Sequence, residues 1–177
     1  MKKLYALLEV YKKGKYKITS FNASADKTNE IRDFEEKYGF HLPDDFKDFL
    51  QSEYGAMLLE VCDEGWEEPY IGQVASASYF RRGLMVYGFG ENISRELDLW
   101  SRTDDMWEMG YEEFVPFMVH VGDEEEVYCF DEDGNIVLFD YYQSYSEIDI
   151  EMSFTELLIK ELEQLEENRK EYAEEKE

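Results

Sequence analysis

Hydrophobic positions along the chain recur first at helical and later at strand spacing. Leu4, Leu7, Leu8 and Tyr11 fall at i, i+3, i+4 and i+7, which predicts an amphipathic helix ended by Gly14. In "KYKITSF" Tyr16 and Ile18 share one side, as in a short edge strand guarded by lysines. "DKTNEIRDFEEKYG" predicts a second helix: Asp26 or Thr28 caps it, Ile31, Phe34 and Tyr38 form its buried stripe, and Gly39 sits where a left-handed C-terminal glycine belongs. A third follows in "LPDDFKDFLQSEYG". Pro43 suits its first position, Asp44 and Asp45 complement its positive end, Phe46, Phe49 and Leu50 face inward, and Gly55 closes it.

The second half alternates. "AMLLEV" (56–61), "GLMVYGF" (83–89) and "FVPFMVHV" (114–121) read as strands, with Pro116 requiring an edge or a bulge. "EVYCFD" and "NIVLFDYY" pair as a hairpin. Residues 91–113 give only a broken helical period through Leu97, Trp100 and Trp107. "SFTE" opens a last helix with a capping box, Ser153 at N-cap and Glu156 at N3. Phe154, Leu157, Leu158, Leu162 and Leu165 mark its face, and fraying is expected over 168–177. No repeat or low-complexity linker interrupts the chain, so residues 1–177 read as a single α+β domain with helices at both ends.

The hairpin contains Asp131, Asp133 and Asn135 at alternate positions, like the first ligands of a calcium loop. Such a loop needs Gly at position 6 and a bidentate Glu at position 12. Counted from Asp131, those positions hold Ile136 and Tyr142, so the segment is read as a turn. The turn is either a two-residue one over Asp133-Gly134, pairing Phe130 with Val137 and Tyr128 with Phe139, or one over Glu132-Asp133 with Gly134 left-handed in a bulge.

Composition excludes a disordered chain: 44% of the 177 residues are hydrophobic and 16% aromatic. The two cysteines, Cys62 and Cys129, make no disulfide framework and read as reduced, buried thiols. No run approaches the about 18 apolar residues of a membrane span. "MKKLYALLEVYKKGK" is broken by Glu9 and reads as a helix rather than a secretory leader, so a cytoplasmic location is expected.

Charge changes the picture most. Eighteen basic against 43 acidic residues give −25, which repels nucleic acid and anionic membranes and attracts basic partners. Residues 1–20 carry +5, whereas residues 111–150 carry twelve Asp or Glu and no Lys or Arg. Solubility alone is one reading of such a surface; a contact face is the other. "CDEGWEEPY" (62–70) puts Trp66 among Asp63, Glu64, Glu67 and Glu68, either a hot spot for a basic partner or an aromatic folded back onto the core. His41 and His120 match no zinc spacing, "GFG" at 88–90 falls short of a phosphate loop, and no nucleophile–base set stands out. No enzyme activity, cofactor or metal is expected, and mutual repulsion favours a monomer when free.

"IRDFEEKYGFHLPDDFKDFLQSEYGA" (31–56) resembles the signature of the SUKH superfamily through Leu42-Pro43, Phe46, Phe49-Leu50 and Gly55. Tyr54 and Ala56 stand where the pattern usually has Asn and Gly. "FVPFMVHVGDEEEVYCFDEDGNIVLFDY" and "SFTELL" resemble its later strands, its Asp-tipped hairpin with Gly134, and its closing helix, with Glu124, Glu125 and Glu126 replacing a glycine-rich run. The resemblance spans about 26–165. It implies an α+β fold with a mixed, mostly antiparallel sheet packed against helices, and a bacterial immunity protein that neutralises the toxin domain of a polymorphic toxin, often a nuclease. Fungal relatives imply the alternative, a regulatory scaffold for an endogenous protein in cell-wall synthesis. The family transfers no catalytic residue. With the charge, it makes Asp63, Glu64, Trp66, Glu67, Glu68, Asp123, Glu124, Glu125, Glu126, Glu132 and Asp133 the candidate face for a basic toxin domain.

Overall fold

The computed structural model describes residues 1–21, 26–62, 81–90, 93–141 and 148–174. Among these residues five helices and seven strands follow in chain order: α1 (Lys2–Lys12), β1 (Tyr16–Ser20), α2 (Thr28–Tyr38), α3 (Asp44–Leu50), β2 (Met57–Val61), β3 (Gly83–Val86), α4 (Leu99–Glu108), β4 (Val115–Val121), β5 (Asp123–Phe130), β6 (Ile136–Asp140), β7 (Ile148–Ile150) and α5 (Phe154–Glu174). The strands form one sheet in the order of the sequence, β1 to β7. All six pairings are antiparallel, and the parallel component is one isolated bridge between Gly88 and Asp98.

Helices cover both faces of the sheet's centre. Phe117 on β4 and Phe130 on β5 stack at 4.1 Å and meet Phe46 of α3 and Phe154 of α5. Cys129, between Tyr128 and Phe130, points to the opposite face, where its Sγ lies 3.8 Å from Met106 of α4. The first six residues of β4, Val115–His120, are accordingly all buried. Pro116 is tolerated on this interior strand because the ladder shifts register between Pro116 and Met118.

The signature residues have structural roles. Leu42, Phe46, Phe49 and Leu50 are buried, and Pro43 stands one residue earlier than expected, as the N-cap of α3. A Cβ on Gly55 would come within 2.4 Å of the Leu50 carbonyl oxygen, which restricts that turn to glycine. Ala56, where the family pattern has glycine, takes the left-handed conformation with φ +64°. Gly39 likewise ends α2 at φ +72°. At the start of α2 the N-cap is Lys27, while Asp26 accepts a hydrogen bond from the Thr28 amide.

Several expectations are corrected. Phe130 pairs with Ile136 and Tyr128 with Leu138, so the hairpin carries the bulged turn: Gly134 has φ +80°, and its amide donates to the Asp131 carbonyl at 3.0 Å. The ambiguous stretch contains α4, capped by Asp98, which accepts from the Ser101 amide and hydroxyl. Helix α5 keeps its capping box but runs to Glu174, well past Asn168. Its late turns are tied down: Arg169 donates twice to Glu166, which also accepts from Tyr16 of β1. Cys62 is half-buried rather than buried; Cys129 is fully buried, and burial pushes its thiol pKa well up. Among the described residues, no helix is long and apolar enough to cross a membrane.

Candidate functional site: an acidic cleft with aromatic walls

The acidic window does not form one patch. Asp123 to Glu126 begin β5, where the ladder to β4 jumps from Val119↔Val127 to His120↔Asp123 and leaves the glutamates in a bulge. Glu132 and Asp133 lie past the other end of the same strand, both exposed. At about 3.3 Å per residue the two groups stand roughly 20 Å apart. The side chains of Asp123 and Glu124 are outside the described set. Glu125 is exposed, whereas Glu126 is half-buried and paired with Arg81 at 2.6 Å. Asp63, Glu64, Trp66, Glu67 and Glu68 lie outside the described residues.

The hairpin tip is positioned from within. One Asp131 carboxylate oxygen accepts from the amides of Asp133 and Asn135 at 3.0 and 2.8 Å, and the other from the Asn135 side chain at 3.0 Å. These bonds account for the alternating Asp-x-Asp-x-Asn pattern as turn chemistry. A methyl on Gly134 would touch the His41 carbonyl and the Pro43 ring at 3.6 and 3.8 Å, so the tip packs on the loop between α2 and α3. That loop is fixed in turn by Glu35, which accepts from the Leu42 amide at 2.9 Å and from Lys47 at 3.1 Å.

This packing brings Glu132 to a cleft of about 520 Å³ lined by Tyr38, Gly39, Phe40, Trp107, Glu112 and Glu113. Three separated segments meet there: the end of α2, the end of α4 with its following turn, and the hairpin. Tyr38 and Trp107 meet edge to face at 4.9 Å, and Phe40 lies 6.3 Å from Trp107. The Trp107 indole donates to the Phe114 carbonyl at 3.1 Å, which fixes the ring. The Tyr38 hydroxyl donates to Asp104 at 2.7 Å; burial and that carboxylate together drive the phenol's pKa far up, so it stays protonated. The site therefore joins rigid, neutral aromatic walls to three carboxylates, of which Glu112 and Glu132 are exposed.

A second polar group is sealed between α5 and the sheet. Glu161 accepts from the Tyr128 hydroxyl at 3.0 Å and lies 2.9 Å from His120 Nε2, while His120 Nδ1 has no protein partner. Both side chains are nearly fully buried, and the trio serves to seat α5. Among the described residues no group of three or more His, Cys, Asp or Glu is arranged to hold a metal ion.

Sequence reading reached Glu132 but missed Tyr38, Phe40, Trp107, Glu112 and Glu113 as site residues. One local signal was available: "GYEE" at 110–113 repeats the aromatic–acidic form of "GWEE" at 65–68. Residues 27–160 match the SMI1 / KNR4 family (SUKH-1), a span that includes every residue of the cleft. No curated protein matches the chain.

Proposed function

The chain belongs to the SMI1 / KNR4 family (SUKH-1), and from that premise we propose that it is a non-catalytic immunity protein that binds and neutralises a basic toxin domain, most simply a nuclease. The observation that carries this reading is the pairing of family membership with a net charge of −25, of which −12 falls over residues 111–150, a window without one Lys or Arg. A nuclease must present cations to phosphates. A protein with a dense carboxylate field is steered onto that surface and covers it. The free protein is a cytoplasmic monomer in this reading, since two copies at −25 repel.

The two exposed acidic regions at the ends of β5 can engage a partner together or separately. Glu126 is the member of the candidate face least suited to contact, because Arg81 already pairs with it.

Co-expression with the toxin C-terminal domain encoded beside the gene tests the proposal. Survival of the host and a stable one-to-one complex are the expected outcomes. Killing without a complex, repeated for each neighbouring toxin, overturns it in favour of the family's other role, a scaffold that binds an endogenous regulatory partner.

A further inference from the structure

We propose that the cleft at Tyr38, Phe40 and Trp107 is an arginine-binding pocket, which receives an exposed arginine of the protein partner. The assignment rests on the protein-binding reading above and adds where, and by what chemistry, a partner is anchored.

Shape comes first. The cleft is open to solvent and has a volume of about 520 Å³. It admits a long side chain with some flanking backbone. The walls then restrict the chemistry. A guanidinium is planar and weakly hydrated, so it lies flat on an aromatic face, and its fork matches carboxylates. Trp107 supplies a half-buried ring, backed edge to face by the buried Tyr38, while Glu112 and Glu132 bring exposed carboxylates from two different segments. An anion would meet three carboxylates, and a purely apolar group would leave them partly desolvated without a partner.

The molecule itself shows that this aromatic cluster holds a cation. The Lys37 ammonium lies 4.5 Å from the centroid of Tyr38 and 5.3 Å from that of Trp100, and pairs with Asp104 at 2.8 Å. Ring plus carboxylate is thus already a working cation site on one of the residues that line the cleft. The second arrangement, Trp107 with Glu112 and Glu132, repeats the components with more space. Backbone at the rim leaves that space open: Gly39 has φ +72°, and a Cβ there would meet no atom within 4 Å.

The experiment has two arms. In the first, the full chain is titrated with acetyl-Gly-Arg-Gly-amide and with its neutral citrulline counterpart, and the Trp107 indole and Gly39 amide resonances are followed. The arginine peptide is expected to shift both saturably, and the citrulline peptide neither. The Glu112→Gln/Glu132→Gln variant should weaken binding at least about fivefold, and Glu167→Gln, exposed on α5, should leave it unchanged. Absence of a shift, or equal shifts from both peptides, overturns the proposal. In the second arm the complex with the cognate toxin is measured. If the toxin binds and Glu112→Gln/Glu132→Gln leaves its affinity within about twofold, the cleft is not the anchor, while the immunity reading stands. If no toxin binds at all, the immunity reading fails, and the peptide titration still decides the pocket.

Discussion

At Asp131 one side chain satisfies two backbone amides and a side-chain amide, and it thereby decides which of two hairpin registers the chain adopts. The two-residue turn would pair Phe130 with Val137; the Asp131 bonds and the left-handed Gly134 instead select the bulged turn and move the partner to Ile136. Replacing Asp131 with Ala leaves those donors to water and frees the turn. The expected loss is about 1–2 kcal/mol of unfolding free energy, read from urea denaturation, with Asp131→Asn recovering part of it. Ala56 shows the opposite balance. It holds a left-handed conformation that costs an L-residue about 1–2 kcal/mol. The methyl is kept in a tight place: Gly88 approaches so closely that a Cβ on it would lie 2.7 Å from the Ala56 nitrogen. The family turn thus survives without its glycine because its neighbours over-determine it.

Among elements, those with local signals were legible and those defined by tertiary contact were not. The apolar stripes of α1, α2 and α3, the capping box of α5 and the alternation in β2 and β4–β6 all correspond to observed elements. Helix α4 escaped because its buried face is Leu99, Thr103 and Met106, with a polar residue in the middle of the stripe. Strand β7 is only three residues, held by its ladder to β6. The cleft was hidden for the same reason, since residues 38–40, 107–113 and 132 become neighbours only once the hairpin tip rests on Pro43. Long-range ties between elements also set the acid response. Burial by itself would raise the carboxyl pKa of Glu161, but its hydrogen bonds with His120 and the Tyr128 hydroxyl outweigh it, and the net shift is downward. A depressed carboxyl adds stability above its unfolded value, about 4.3, and that stability is lost as pH falls through the folded value. Glu161→Gln is expected to cost about 2 kcal/mol at pH 7 and to flatten the stability–pH curve between about pH 4.5 and the acid limit, as measured by denaturation at stepped pH.

At the scale of the whole molecule, strand order equals sequence order, so charge segregated along the chain is segregated across the sheet. The lysine-rich first 20 residues supply α1 and the β1 edge, and the window without a cation supplies β4 to β7. Neighbouring strands are about 4.8 Å apart, which places the centres of the two regions roughly 20 Å from each other. Such a distribution orients an approaching basic partner as well as attracting it. If the proposed immunity role holds, stopped-flow association with the cognate toxin should slow about tenfold or more between low and high salt, with dissociation changing far less. The same meander has a consequence in time. Each strand pairs with the one made just before it, so the sheet can be assembled in chain order. Helix α5 comes last, yet it supplies Phe154 to the cluster of Phe46, Phe117 and Phe130, and its Leu162 carbonyl accepts the Tyr11 hydroxyl of α1. Until α5 docks, the sheet face that carries Phe117 and Phe130 is covered only in part, by Phe46 of α3, so α5 acts as the latch on that face.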